Sequence, residues 1–190
     1  MTVNRAMETE FIKANLKNSF EAGLPRAVER AGELKFLNVM PGHWFSRAVS
    51  ESLKLYVNGH FYGVIVTSQA YIEALGKFIC KLNGHRYSKN DTLKDWKKLN
   101  SLGLSKNSSL AAAKEIYVGR NDFHHLNPTI ETDYQNLKKQ ALDCLNNIHV
   151  IESEFFGYSF ENGKIVVDHP KYWPANLDSP DQIQVYIRNI

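Results

Sequence analysis

Apolar residues recur at steps of three and four through residues 60–83, and this pattern constrains the fold more than any other stretch. Such spacing places the apolar side chains along one face of an α-helix. Asn83-Gly84 follows and is typical of a helix end. The small residues Ser68, Ala70 and Gly76 would let a second helix approach closely. The recurring positions are Phe61, Ile65, Ser68, Ile72, Leu75, Ile79 and Leu82. The sequence therefore predicts a central helix in a helical protein.

Two helices are predicted ahead of this one. Residues about 4–22 carry apolar side chains toward one side and lysines elsewhere, and Gly23 with Pro25 is expected to end that helix. Pro41-Gly42 marks a break in the chain. A second helix is predicted from about 43 to 57. Its expected core side chains are Trp44, Val49, Leu53 and Tyr56.

Two more helices are predicted after the polar stretch 84–107, which holds one short amphipathic piece. The first begins near Ser108 or Ser109, either of which can cap it, and runs into residues 120–125. Thr132-Asp133-Tyr134-Gln135 has the pattern of a capping box that opens a long helix to about residue 156. The apolar stripe of that helix consists of Leu137, Ala141, Cys144, Leu145, Ile148, Ile151 and Phe155.

The pattern changes to that of β-structure after Gly157. Two short alternating segments flank Asn162-Gly163, which is the strongest short-range signal for a β-hairpin. Residues 182–188 alternate at period two and predict a strand. That strand is expected to lie at a sheet edge or to pair with a partner chain.

Length and composition suit one soluble globular domain with appendages. The chain has 190 residues, of which 43% are hydrophobic and 23% are charged. We divide it into an N-terminal helical extension (1–42), a helical bundle (43–157) and a small β appendage (158–190). The net charge of only +3 does not favour binding to nucleic acid over the whole surface.

The N-terminus, the apolar runs and the two cysteines indicate where the protein is located and whether its thiols are reduced. The N-terminus lacks the apolar segment of a signal peptide, and no apolar run approaches a membrane span. We therefore expect a cytoplasmic protein without a membrane partner. The two cysteines, Cys80 and Cys144, lie far apart in apolar helical contexts, and they are expected to be buried, reduced thiols.

The side chains best suited to catalysis are grouped in one segment, Arg120-Asn121-Asp122-Phe123-His124-His125. Cleaving RNA without a metal needs a base for the 2′-hydroxyl proton, a cation on the phosphoryl oxygens and an acid for the leaving oxygen. A histidine can supply the base or the acid because it titrates near neutral pH. Arginine matches the oxygens of a phosphate, and Asn121 can bind the phosphate or orient a histidine.

Helical geometry leaves the choice of histidine open. Asn121 and His125 are four residues apart and share a face, as do Arg120 and His124 on a neighbouring face. Arg120 and His125 lie roughly 140° apart around an ideal helix. Geometry alone therefore slightly favours His124 as the companion of Arg120. Adjacent histidines do not easily bind one metal from a regular helix, and neither cysteine has ligand spacing, so we expect no metal and no other cofactor.

This segment resembles the signature of the HEPN family (higher eukaryotes and prokaryotes nucleotide-binding domains), in which a polar residue follows an arginine and a histidine follows after four to six intervening residues. Ser68-Gln69-Ala70-Tyr71-Ile72-Glu73-Ala74-Leu75-Gly76-Lys77 is similar to the first core helix of that family. The resemblance covers about residues 43–156. It implies a mainly α fold, an HEPN-like antiparallel helical bundle, here with a small C-terminal β-hairpin and strand appendage.

The resemblance also implies a function. Many family members are metal-independent endoribonucleases that act as toxins or in phage defence, and they often dimerise so that two motifs share one cleft. Arg120 and His125 would then be the catalytic pair, with Asn121 in support. Glu73 would orient Arg120, and His124 would pack or cap. The implied partners are RNA, a second copy of the chain, and an antitoxin or other protein.

Three alternatives remain open from the sequence. The chain can be a non-catalytic nucleotide- or protein-binding module that uses the same surface, or a helical adaptor whose C-terminal strand pairs with another protein. The basic run Lys94-Asp95-Trp96-Lys97-Lys98 can contact RNA through stacking and phosphate pairing. It can equally be an amphipathic helix with a buried tryptophan and a solvated lysine face.

Overall fold

A computed structural model shows a mainly α-helical chain with two small, two-stranded antiparallel sheets. It describes residues 2–125, 127, 133–175 and 183–189, and the side chains of these residues except 2–6 and 121. The helices are α1 (Thr2–Gly32), α2 (Ser46–Val57), α3 (Phe61–Leu82), α4 (Thr92–Ser101), α5 (Asn107–Tyr117), α6 (Arg120–His125) and α7 (Tyr134–Phe155). The strands are β1 (Val39–Pro41), β2 (Tyr158–Glu161), β3 (Lys164–Val167) and β4 (Val185–Ile187). In the part of the chain described, no helix is long and apolar enough to cross a membrane.

Helix α3 lies at the centre of the bundle and packs against α2, α4, α5, α6 and α7. Its predicted apolar positions are buried from Phe61 to Ile79, while the last one, Leu82, is exposed. At Gly76 an added Cβ would lie 3.1 Å from Nε1 of Trp96, and that nitrogen donates to the Ile72 carbonyl at 3.1 Å. The missing side chain at Gly76 therefore lets α4 pack close to α3.

The N-terminal part differs from its prediction in two places. Helix α1 continues through Gly23 and Pro25 to Gly32, so the predicted end near residue 22 was wrong. Most of α1 is exposed, and water can satisfy the carbonyl that Pro25 leaves without a donor. The placement of Trp44 in the core was also wrong, because Trp44 is 76% exposed and Phe45 is buried in its place. The three other core residues predicted for α2 are buried.

The helices around the arginine-histidine segment begin and end differently from the prediction. Helix α5 starts at Asn107 without a side-chain cap, and the Ser109 hydroxyl instead donates to the Glu154 carboxylate. The prediction that one helix continues from there into residues 120–125 was wrong, since α5 ends at Tyr117 and α6 begins at Arg120. The predicted cap Thr132 lies outside the described residues. Asp133 caps α7, and its side chain accepts hydrogen bonds from two backbone amides.

The predicted hairpin is confirmed. Strands β2 and β3 pair antiparallel, with Tyr158 opposite Val167 and Glu161 opposite Lys164. Asn162 and Gly163 have φ values of +51° and +76°, as a two-residue type I′ turn requires. The C-terminal strand β4 pairs antiparallel with β1, within the same chain. This pairing joins the segment ahead of α2 to the β appendage.

Both cysteines are free and buried, as predicted. Cys80 lies in α3 and Cys144 lies in α7. Burial, reinforced by the charge of Asp143, raises the pKa of the Cys144 thiol to about 12. Both side chains therefore serve as small apolar groups in the core.

Candidate active site

Helix α6 is held against α3 by specific contacts. Gly119 has a φ of +69°, which ends α5 and allows a new helix to begin at Arg120. The Tyr62 hydroxyl of α3 donates to the backbone carbonyl of Phe123, and the two rings lie 5.6 Å apart. Gln69, also in α3, donates to the Ile116 carbonyl at 3.2 Å. The arginine-histidine segment is thus attached to the central helix of the bundle.

Arg120 forms an ion pair with Glu73 across α3 and α6. Nη2 of Arg120 lies 3.1 Å from Oε2 of Glu73. The other carboxylate oxygen of Glu73 accepts from the Lys77 ammonium at 2.6 Å. The side chains of Arg120 and Glu73 are 30% and 25% exposed, so solvent screens the pair only in part. Glu73 therefore fixes the position of the Nη2 end of the guanidinium.

Beyond its ion pair, the Arg120 side chain lies near an aromatic ring and borders a cleft. Its Cζ lies 5.6 Å from the centre of the Tyr117 ring, within range of a cation–π contact. Its Nε is buried and has no hydrogen-bond partner among the described residues. Arg120 also lines a shallow cleft of about 330 Å³ together with Tyr117, Gly119 and Asp122. The arginine is therefore held by Glu73 and Tyr117 and borders the cleft with a partly exposed side chain.

The two histidines lie at the end of α6, and both are exposed. Partial burial lowers the pKa of His124, and the charges of Arg120 and His125 lower it further, while Glu73 opposes this shift. His124 is therefore electrostatically coupled to the ion pair and favours its neutral form near pH 7. His125 follows it at the last position of the helix.

Asn121 and Asp122 complete the segment. The backbone of Asn121 lies in α6, whereas its side chain falls outside the described part of the structure. Asp122 accepts a hydrogen bond from the Asn127 side-chain amide at 2.9 Å, and its carbonyl accepts from the Asn127 backbone at 3.0 Å. These two bonds hold the chain where it leaves α6.

Among the residues that the structure describes, His124 and His125 belong to no cluster of metal-binding side chains. In the described ranges, no three His, Cys, Asp or Glu side chains come together. His43 lies among aromatic rings, 4.4 Å from Phe78, and its Nε2 is 2.7 Å from the Tyr172 carbonyl. Burial lowers the pKa of His43, although the bond to Tyr172 opposes the shift.

Base stacking on Trp96 is not possible, because its side chain is completely buried beneath α3. The amphipathic interpretation of residues 94–98 is therefore correct. Asp95 in the same run is also buried and accepts from the Ser88 amide at 2.7 Å.

Several residues around the site were not predicted from the sequence. Lys77 follows Glu73 by four positions, and that spacing is a recognisable signal for an ion pair on a helix. Gly119 is a recognisable point for a chain break. Tyr62 and Tyr117 gave no such signal, since their contacts with α6 depend on the tertiary fold and on the turn at Gly119.

The chain was compared with protein-family models, with curated proteins and with solved structures, and none of them matches it.

Proposed function

We propose that this chain is a metal-independent endoribonuclease of the HEPN type that cleaves RNA at Arg120 and the adjacent histidines, in a toxin or phage-defence role. The observation that carries the proposal is the contact between Arg120 and Glu73. It holds an arginine beside two exposed histidines and an open cleft. This combination supplies a phosphate ligand and proton carriers in one place.

Arg120 would bind the non-bridging oxygens of the scissile phosphate. The Arg120 side chain is 30% exposed, and the exposed donors of its guanidinium match those oxygens. Glu73 holds the guanidinium through Nη2. Because the guanidinium is oriented in advance, less conformational entropy is lost when the phosphate binds.

The histidines would transfer the protons. The base accepts the proton of the 2′-hydroxyl, whose oxygen attacks phosphorus to form a cyclic phosphodiester, and the acid protonates the departing 5′-oxygen. The family resemblance assigns this chemistry to His125, with Asn121 in support. The lowered pKa of His124 keeps its imidazole neutral and available as a base, which makes His124 the second candidate.

A homodimer would place two such sites together, and a protein antitoxin is a second partner class. Helix α1 supports association, since large apolar side chains are exposed along its length. Extended exposed apolar surface commonly marks a protein–protein contact. The exposed residues are Met7, Phe11, Ile12, Leu16, Phe20, Leu24 and Val28.

The test is cleavage of single-stranded RNA in the presence of a chelator of divalent metals. Arg120→Ala should abolish cleavage, and comparison of His124→Ala with His125→Ala identifies the proton carrier. Arg26→Ala and His169→Ala remove exposed residues of the same types elsewhere and should leave the rate unchanged. Equal rates for wild type, Arg120→Ala and both histidine variants would overturn the proposal.

A non-catalytic nucleotide- or protein-binding module is the second candidate. One observation favours it: a groove of about 590 Å³ lies along α3 and shares Glu73 with the site. Such a groove can hold a nucleotide whether or not a bond is broken. This alternative predicts saturable binding that Arg120→Ala weakens, without any cleavage product.

A further inference from the structure

The groove along α3 has a composition unusual for an open surface. Its lining includes Trp44, from the segment that enters α2, and Tyr87, which follows α3. The small side chains Ala70 and Ala74 of α3 also line it, and they leave space for a flat group to approach the helix. The phosphate chemistry proposed above uses none of these residues.

Two aromatic side chains in this groove are exposed. Trp44 is 76% exposed and Tyr87 is 47% exposed. The Trp44 ring lies nearly perpendicular to that of the buried Phe45, with ring centroids 5.6 Å apart, and most of its surface remains accessible. Exposed aromatic rings of this kind are stacking surfaces for nucleobases, and such stacking tolerates any base.

Charge is distributed along the same face of α3. Glu73, Lys77 and Lys81 follow one another at intervals of four residues and all line the groove. At 1.5 Å per residue, Glu73 and Lys81 are about 12 Å apart along the helix axis. Glu73 is already bonded to Lys77 and Arg120, whereas Lys81 has no ion pair within the described part of the chain. The groove therefore presents two lysines and one carboxylate, while the adjoining cleft adds Arg120 and Asp122. The resulting positive charge favours an anionic ligand.

We propose that this groove binds an unpaired nucleotide of a single-stranded RNA, next to the nucleotide whose phosphate Arg120 holds. Its base stacks on Trp44, and its phosphate lies near Lys81. The assignment to RNA rests on the function proposed for Arg120, because the two sites meet at Glu73. The exposed ring of Trp44 can stack on a base, and Lys81 can pair with a phosphate. An apolar peptide would use the ring of Trp44 but not Lys81.

Binding can be measured independently of cleavage with a short 2′-O-methyl oligoribonucleotide, which lacks the attacking hydroxyl. Trp44 is the exposed tryptophan, since Trp96 and Trp173 are buried. Titration with the oligonucleotide should therefore quench the solvent-accessible part of the tryptophan fluorescence. In fluorescence anisotropy, Trp44→Ala should weaken binding roughly 5- to 100-fold, as expected for the loss of one stacked base.

Matched variants separate stacking from general effects. Trp44→Phe should retain most of the affinity, because it keeps an aromatic face. Phe160→Ala removes another exposed aromatic ring, in the distant hairpin, and should bind like wild type. Lys81→Ala should reduce the slope of log Kd against log salt by about 0.7, whereas Lys164→Ala should not. Circular dichroism of each variant verifies that the helices are intact.

Several results would overturn the subsite. The first is a folded Trp44→Ala variant that binds the oligonucleotide as tightly as the wild type does. The second is equal affinity for an oligonucleotide that lacks bases. The third is equal affinity for a free mononucleotide. Trp44-dependent binding by a chain that cleaves no RNA would support the subsite and refute the nuclease. Normal binding and cleavage by Trp44→Ala would refute the subsite alone.

Discussion

Arg188 and Glu152 form a bidentate ion pair in the protein interior, with nitrogen–oxygen distances of 2.6 and 2.7 Å. Their side chains are 0% and 1% exposed. The Tyr71 hydroxyl donates to the same carboxylate at 2.8 Å, and burial, with the charge of Glu152, raises the pKa of Tyr71 well above its ordinary value. Arg188 directly follows β4, so this pair ties the C-terminal strand to α7 and α3.

Removing one partner should strongly destabilise the fold. Arg188→Met leaves a buried carboxylate without its counter-charge, which typically costs about 3–5 kcal/mol. We expect this loss in the free energy of unfolding measured with urea. Glu115→Gln removes an exposed carboxylate from α5 and should change the free energy by less than about 0.5 kcal/mol.

The double variant Glu152→Leu/Arg188→Met decides whether the cost comes from the unpaired charge. Replacing both ions with apolar groups removes the orphaned carboxylate, so stability should recover well above that of Arg188→Met. A double variant as unstable as the single one would show that the cost lies in the packing of β4 or in the Tyr71 hydroxyl left without its acceptor, rather than in the unpaired charge.

The helix pattern and the hairpin were predictable because they follow from local periodicity and turn chemistry. The steps of three and four in α3 identify its buried face, and Asn162-Gly163 identifies the turn. Local periodicity does not identify the partners of buried polar groups, because these partners can be far apart in the sequence. Glu152 and Arg188, for example, are 36 residues apart. Trp44 and Phe45 show the same limit, since adjacent aromatic residues satisfy a helical pattern almost equally well and the tertiary fold chooses between them.

In the candidate site, the pattern Arg-x4-His was visible in the sequence, but its setting was not. Gly119 changes the direction of the chain just before Arg120. The predicted helix ran through Gly119 and Arg120 without a break and therefore did not include this change. The neighbours Tyr62 and Tyr117 reach the segment only through that tertiary arrangement. Local sequence can therefore suggest the groups that do chemistry more readily than the groups that position them.

Gly119 should matter for the orientation of Arg120. In Gly119→Ala the new side chain must adopt a φ of +69°, which costs about 1–2 kcal/mol, although its Cβ would be no closer than 3.6 Å to Phe123. We expect relaxation of this turn to lower RNA cleavage. Gly163→Ala imposes similar strain at φ +76° in the remote hairpin. It should lower the free energy of unfolding by a similar amount and leave cleavage unchanged.

Glu73 should affect the rate by orienting Arg120. Glu73→Met removes the acceptor of a charge-assisted hydrogen bond, and such bonds contribute about 1.5–3 kcal/mol. If the bond is needed at the transition state, cleavage should fall roughly ten- to hundredfold. Lys77→Met removes the other partner of Glu73 and should preserve most of the rate. Equal losses in the two variants would instead point to a general requirement for charge on this face.

Stability should depend on pH through His43. The pKa of folded His43 lies below its ordinary value of 6.5 because burial disfavours the charged ring. The unfolded chain then binds more protons as the pH falls through 6.5, so stability present above that pH is lost below it. His43→Gln can keep a donor toward the Tyr172 carbonyl without titrating.

Urea unfolding at pH 7.5 and pH 5.5 measures this effect. The wild type should lose more free energy of unfolding between the two pH values than His43→Gln does. His169→Gln alters an exposed histidine and should follow the wild type. His124 contributes with the same sign, so some dependence should remain in His43→Gln. Identical pH dependence in wild type and His43→Gln would exclude His43 as a source.

Exposed apolar side chains on α1 should drive association. Phe11→Ser/Leu16→Ser/Phe20→Ser removes three of them, each of which contributes about 1.5–3 kcal/mol when fully buried. If α1 forms the contact between copies, sedimentation should show the wild type associated and this variant monomeric. Lys13→Ser/Lys17→Ser changes the same helix at exposed polar positions and should remain associated. A wild type that is monomeric at all concentrations would leave α1 available to a different protein, such as an antitoxin.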